Sequence, residues 1–491
     1  MNASLPFPNP EPVSGQYAWP ATPTAASRLP VLVAASFYVL VFGSLFTGLP
    51  MTFPLGELRG EGALPGFMLL LLLAGASGAI VDVRGLRAVL VFAPLLLAVM
   101  ISYAVNAGEI GQAHFLGRAG GEKFLNALMV LAFYAAAFYA VFTLVSVYGV
   151  EPTLRLAGRA AMLATALLVA AMLVEIASWF SPPLRSAWLS ARALWCSIPS
   201  APLFRLTGFA PEPSFGSISA LGLIGLLASA VTMSGWPRRG AAPGWRTPLA
   251  LALALVGLEM IANSRTFLAG VGGVAMAALL LGPLKRLPPL LRSLVIVLAP
   301  LVAQAGIILS MMASTPGTQS VSNITRSVGM LTATELWTRH PLLGVGLGQY
   351  AFHFRSVVPS WGLQSWEVSR YFRYDQIDLA AGVMPPSFSL FTRLGAELGI
   401  VGFLAWSLPA IYAIRRALIF SPGRITTVMI CALAAQIWTG LSLDSFRNTY
   451  YWIWLACLLA WPDQYRATGG ASNAGDASRA ANSSRSMGGR E

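Results

Sequence analysis

Charge is scarce in this sequence: only 10% of its 491 residues are Asp, Glu, Lys or Arg, where a soluble globular chain carries about 25%. A deficit of that size excludes a protein whose surface is mostly wetted, so most side chains must face lipid or one another. Acid is scarcer than base, 19 residues against 32, which gives a formal net charge of +13. No basic cluster with interleaved aromatics accompanies that excess, so it is not the footprint of a nucleic-acid binder. The Lys and Arg residues are scattered between apolar runs, a pattern that reports membrane orientation. The cysteines, Cys196, Cys431 and Cys457, are irregularly spaced and two lie inside apolar runs. That excludes a metal knuckle and speaks against a disulfide framework. The histidines, His114, His340 and His353, lie far apart without carboxylates at helical spacing, so no metal site and no cofactor are expected. The phosphate-cradling pattern Gly-x-x-x-x-Gly-Lys-Ser/Thr is missing, so nucleotide-driven work is not indicated. Residues 1–30 are rich in Pro, Ala and Ser and lack the basic stretch and short apolar core of a signal peptide.

What the chain does have is hydrophobic length. Fully 56% of it is hydrophobic, and its mean hydropathy is +0.68. A membrane span needs roughly 20 mostly apolar residues. Runs that qualify lie near 31–49, 64–81, 86–105, 124–147, 160–180, 215–235, 248–263, 266–282, 290–312, 387–412, 425–443 and 449–462. The expected fold is therefore all-α, a polytopic integral membrane helical bundle of about twelve transmembrane helices. Asn263-Ser264-Arg265 reads as a tight turn between two antiparallel helices. Tyr450, Tyr451, Trp452 and Trp454 suit an aromatic belt at the membrane interface.

Alternate loops sort by charge. One set holds Arg84 and Arg87; Arg155 and Arg159; Arg238, Arg239 and Arg246; Lys285 and Arg286; and Arg415, Arg416 and Arg424. The other short loops are poorer in base, and the positive-inside rule puts the richer set in the cytoplasm. Both termini are then cytoplasmic: a tail over 1–30, a membrane domain over 31–462, and a Gly/Ala/Ser/Asn-rich, disordered tail over 463–491. Two longer segments face outward, about 181–213 and about 313–386. The second carries Trp361, Trp366, Tyr371, Phe372 and Tyr374 among Arg355, Arg370 and Arg373. Two readings stand side by side: a platform for sugar rings and phosphates, or an amphipathic helix lying on an anionic leaflet.

Three segments carry a resemblance. The first is Arg205-Leu-Thr-Gly-Phe-Ala-Pro-Glu212-Pro-Ser-Phe215-Gly216, at the outer start of a span. The second is Asn263-Ser-Arg265-Thr, at an outer helix end. The third is Arg339-His340-Pro341-Leu-Leu-Gly344-Val-Gly346-Leu-Gly348-Gln-Tyr, followed by Ala396-Glu397-Leu398-Gly399-Ile400-Val-Gly402. Their order, spacing and intervening outer loop resemble the O-antigen polymerase and ligase superfamily over roughly residues 200–445. The resemblance implies a GT-C-like bundle in a bacterial inner membrane with a large periplasmic loop. It implies a metal-independent glycosyltransferase whose donor and acceptor are undecaprenyl-diphosphate-linked glycans. A chain-length regulator and a flippase would be its partners besides membrane lipids. Polymerases of the Wzy type pass the growing chain to a new lipid-linked repeat unit, building O-antigen, capsule or exopolysaccharide; ligases pass it to lipid A-core. Ligases usually carry a His-Asn pair shortly before the Glu-Leu-Gly helix. Here the matching stretch reads Met384-Pro385-Pro386-Ser387-Phe388, which favours a polymerase over a ligase. A transporter is the alternative of another class. The acids inside predicted spans, Glu175, Glu259 and Glu397, are few for an ion-coupled cycle.

The chemistry implied by the resemblance concentrates negative charge on a departing lipid diphosphate. Arginine suits that task, because it stays protonated and offers a planar fork of donors matching phosphate oxygens. Cations placed where charge develops are commonly the largest catalytic term. Arg205 and Arg265 are the leading catalytic candidates, with a snorkelling anchor as the competing role for Arg265. A base for the attacking hydroxyl must be in reach and suitably poised; Glu212, Asp375, Asp378, His340 and His353 are candidates, and Glu212 could equally position Arg205. Arg339, His340, Gly344, Gly346, Arg355, Arg393 and Arg447 complete the expected substrate-binding set. For His340 a structural turn, and for Glu397 helix packing, are the preferred roles.

Overall fold

The structure is a computed structural model that describes residues 29–50, 58, 60–76, 90–196, 205–234, 243–313, 321–373 and 384–464. Helix α1 covers Leu29–Gly43, α2 Leu64–Ala76 and α3 Ala93–Gln112. A two-stranded antiparallel hairpin follows, β1 His114–Phe115 with β2 Arg118–Ala119, pairing His114 with Ala119. Then come α4 Gly120–Tyr148, α5 Val150–Ser178, α6 Pro182–Arg192, α7 Pro213–Met233, α8 Arg246–Ala262, α9 Arg265–Leu281 and α10 Pro289–Ala313. Helix α11 covers Val321–Arg339, α12 Tyr350–Val357, α13 Leu390–Phe420 and α14 Arg424–Trp438. A last helix, α15, occupies 449–464.

The protein is an all-α membrane protein. Among the described residues, 7 helices are long and apolar enough to cross a membrane, and Val31–Gly43, Leu64–Ala76 and Arg265–Leu281 are shorter apolar helices. A helix overlaps each apolar run picked out in the sequence, with shifted ends. Helix α5 starts at Val150, so Arg155 and Arg159 lie within its first turns and not in a loop. Gly149, at φ 92°, ends α4 and allows the immediate restart. Leu97, Val105, Val302 and Leu309 are among the large apolar side chains left exposed on these helices, as a lipid-facing surface requires.

The aromatic run at 450–454 is not an interfacial belt. Tyr450, Tyr451, Trp452 and Trp454 are all buried. The Trp452 ring stacks on Tyr134 at 5.9 Å and meets Phe92 at 5.6 Å, while Tyr451 stacks on Trp406 at 5.3 Å. Helix α15 therefore runs through the middle of the bundle, where large rings fill space between helices.

The long segment between α10 and α13 is itself folded where it is described. Its described part contains α11 and α12 and a single helical turn at Trp366–Ser369. A small separate core joins Phe115 and Leu116 of the hairpin region with Val328, Leu336, Tyr350, Phe354 and Tyr371. The glycine-rich run at 344–348 seats this cap on a break in α13. At the break Gly399 has φ 63° and ψ −165°, and the freed backbone groups are met from outside the helix. Ile400 N–H donates to Pro341 O at 2.9 Å, Val345 N–H to Ala396 O at 2.9 Å, and Gly346 N–H to Glu397 O at 2.8 Å. Ser102 Oγ holds Leu343 O at 2.6 Å and Asn106 Nδ2 holds Gly344 O at 3.1 Å. Irregular backbone inside a membrane bundle persists only where protein satisfies it.

Candidate functional site

The loop that carries Arg205 and Glu212 is fixed from beneath by two buried charges. Glu175, near the end of α5, accepts hydrogen bonds from the Thr207 amide at 3.0 Å, the Gly208 amide at 2.9 Å and the Thr207 hydroxyl at 2.9 Å. Arg192, fully buried at the end of α6, lies 3.8 Å from the Glu175 carboxylate. It donates to Thr207 Oγ1 at 2.7 Å and to the carbonyls of Ala210 and Pro211, each at 3.0 Å. Phe209 packs on Phe46 at 4.9 Å. A buried charge is tolerable only when paired and hydrogen-bonded, and these contacts bind both charges to the loop backbone. Arg205 and Glu212 project from its two ends, both exposed.

Arg265 arrives from a second element. Asn263 takes the left-handed conformation that ends α8, at φ 50°, Ser264 is extended, and Arg265 opens α9. The expected tight turn is therefore present. Its guanidinium donates to Asn323 Oδ1 on α11. One turn further along α11 stands Arg326, half-buried, its guanidinium 5.0 Å over the ring of Phe388. Arg326 is the residue that sequence reasoning missed, since it falls in a polar stretch with no motif around it.

These groups act on one another. Burial, and then the charges of Arg265 and Arg205, lower the Arg326 pKa below the usual arginine range, while Glu212 and Glu367 oppose that shift. Three guanidiniums from three separate elements thus share one electrostatic neighbourhood with two carboxylates. Repulsion among such cations is relieved by an anion carrying more than one charge, and arginine forks fit phosphate oxygens in two-pronged fashion. The stretch 384–388 adjoins this cluster: Phe388 sits under Arg326, and a side chain at Gly329 on α11 would strike Phe388 and the carbonyl of Pro386.

The remaining candidates lie in other settings. Asp378 and Asp375 fall outside the described residues. Arg339 is exposed and pairs with Glu335 at 2.9 Å. His340 closes the turn after α11, its carbonyl accepting from Gly344 N–H at 3.1 Å. Gly344 and Gly346 lie in the backbone that docks on the α13 break. Arg355 donates to Tyr371 O at 2.7 Å and lies 5.1 Å from Phe115 and 5.4 Å from Phe372, which ties the cap together. Burial lowers the His353 pKa, Glu109 opposes that and His340 adds to it. Arg393 pairs with Glu397 at 3.1 Å and donates to Asp444 O at 2.7 Å. Arg447 pairs with Glu61 at 3.4 Å.

Among the described residues no group of three or more His, Cys, Asp or Glu side chains is placed to hold a metal ion. Comparison with protein-family models finds no match, and comparison with curated proteins finds none.

Proposed function

We propose that this protein is a glycosyltransferase of the inner membrane that polymerises undecaprenyl-diphosphate-linked repeat units on the periplasmic side. The observation that carries the reading is the convergence of Arg205, Arg265 and Arg326, from three elements, at one end of the bundle. In this reading the three arginines hold the diphosphate of the donor and stabilise it as the sugar–phosphate bond breaks. Glu212 and Glu367 offset part of the repulsion among the guanidiniums, and Glu212, on the same loop as Arg205, takes the proton-accepting role. Orientation follows from the loops: the basic set lies at the other end of the helices and faces the cytoplasm. The twelve-span, GT-C-like architecture belongs to the same proposal. Phe388, at the stretch where the resemblance puts a ligase histidine, stacks on Arg326 and supplies no base. That supports polymerase over ligase.

The test is glycan length in cells lacking the gene and complemented at matched protein levels with wild type, Arg205→Ala, Arg265→Ala or Arg326→Ala. Loss of long chains with accumulation of single lipid-linked repeats is expected for each variant. A missing charge-stabilising donor costs about 10²–10³ in rate. Full-length polymer left on undecaprenyl diphosphate in the deletion strain indicates a ligase. Glycan unchanged in every strain rejects both enzymes and leaves a transporter.

A further inference from the structure

At the end of the bundle opposite the arginine cluster, α5, α7, α14 and α15 surround a cavity of about 450 Å³. Its walls include Arg155 with Glu151 on α5, Arg424 and Thr426 on α14, Ser421 just before α14, and Trp461 on α15. The two guanidiniums come from different helices. Among the described residues Arg155 forms an exposed pair with Glu151 at 3.5 Å, an interaction of little strength in water. Arg424 is exposed. The far side of the cavity is fixed: Trp461 Nε1 donates to Thr426 Oγ1 at 3.0 Å, and Thr426 in turn donates to Ser421 O.

We infer that this cavity binds the phosphate headgroup of an anionic phospholipid from the leaflet at that end of the bundle. Its volume falls within the range of small-molecule sites, and its donors are those that take a phosphate monoanion or diester. The choice of a lipid over a soluble phosphate ester rests on the surface leading into it. Val401, Leu404 and Leu408 are exposed along one face of α13, continued by exposed Tyr412, Arg415 and Ile419 before the helix ends at Ser421, which lines the cavity. Acyl chains lie along that face while the headgroup reaches the guanidiniums. The positive-inside orientation puts this end at the cytoplasmic leaflet, where anionic lipids attract basic residues. The inference does not depend on the polymerase reading.

The test is native mass spectrometry of the delipidated full-length protein, titrated with phosphatidylglycerol or with phosphatidylcholine of the same acyl chains. Phosphatidylglycerol is expected to bind about tenfold better, each arginine contributing a comparable part. Arg155→Gln with Arg424→Gln is expected to abolish that preference, and Arg286→Gln, in a neighbouring basic loop, to keep it. Should the double variant fail to fold, Arg424→Glu alone is expected to lose the preference while Arg155→Lys with Arg424→Lys retains it. The proposal is overturned if a folded double variant, or folded Arg424→Glu, keeps the preference, which marks ordinary annular lipid only. It is overturned equally if glycerol phosphate displaces the lipid at matched concentration, which assigns the cavity to a soluble phosphate ester.

Discussion

Glu61 lies in the loop between α1 and α2, buried under a neighbour almost the whole chain away, Arg447, at 3.4 Å. Burial pushes its carboxyl up to about 7, against the pull of Arg447. A carboxyl that binds its proton more tightly folded than unfolded favours the folded state at low pH. That stability is full below the unfolded value near 4.5, drains away as pH rises and is gone above about 7. The expected difference is on the order of 3 kcal/mol. Wild-type protein should lose thermal stability between pH 5 and pH 8 relative to Glu61→Gln, whose amide does not titrate. Parallel melting curves for the two across that range would falsify the assignment. Nothing in the sequence marks Glu61, since its surroundings come from packing between distant segments. Arg326 was equally illegible: its partners Arg205, Arg265 and Phe388 gather only in the fold. Arg265 was legible because it opens a helix after a turn-forming Asn-Ser pair, and Arg205 because the Gly- and Pro-bearing loop it begins leads into a span.

Two local elements position the site and can be broken separately. In the loop 205–212, Arg192→Leu leaves the Glu175 carboxylate buried beside Thr207 without its cation. Loss of one partner from a buried pair costs about 3–5 kcal/mol. A sharply lowered melting temperature is expected, with a smaller loss for Glu175→Gln combined with Arg192→Met, which leaves no charge unpaired. Equal losses in both would show that the loop does not depend on the pair. At the α13 break, a methyl on Gly399 would strike the backbone of Leu342, and its positive φ disfavours any side chain. Gly399→Ala should therefore sharply reduce the yield of folded protein, whereas Gly121→Ala, which meets nothing within 4 Å, should not. The glycine motif was visible in the sequence because tight turns leave glycine and proline behind. What it docks on was only partly visible: Ala396-Glu397-Leu398-Gly399 stands out by resemblance, but with no proline at the break the stretch 387–412 reads as one span. Helix α11 was hidden for the opposite reason: it is too polar to register by hydropathy, although it supplies Arg326.

At the scale of the molecule, function hangs on which end faces out. Helix α9 has 17 residues from Arg265 to Leu281, about 25 Å at 1.5 Å per residue. That is a little short of a hydrocarbon core of about 30 Å; in the proposed topology α9 nonetheless crosses, which puts Arg265 and the loop holding Arg286 on opposite sides of the membrane. The arginines near one end number three in the cluster, yet the short loops at the other end carry the larger share of base, and short-loop base sets orientation. Long outer segments escape that count, which is how an arginine-bearing cap can stand outside. Cysteine labelling decides the matter. In a background with Cys196, Cys431 and Cys457 replaced by Ala, Ser360→Cys should react with an impermeant maleimide in cells with a permeabilised outer membrane. Arg286→Cys should react only after the inner membrane is opened. Both positions are exposed, so access is limited by the membrane alone. The reverse pattern would put the arginine cluster in the cytosol, out of reach of a donor presented in the periplasm, and the polymerase reading would fall with it. Reaction of both without opening the inner membrane would mean that α10, which runs between the two positions, does not cross, and the proposed topology would fall.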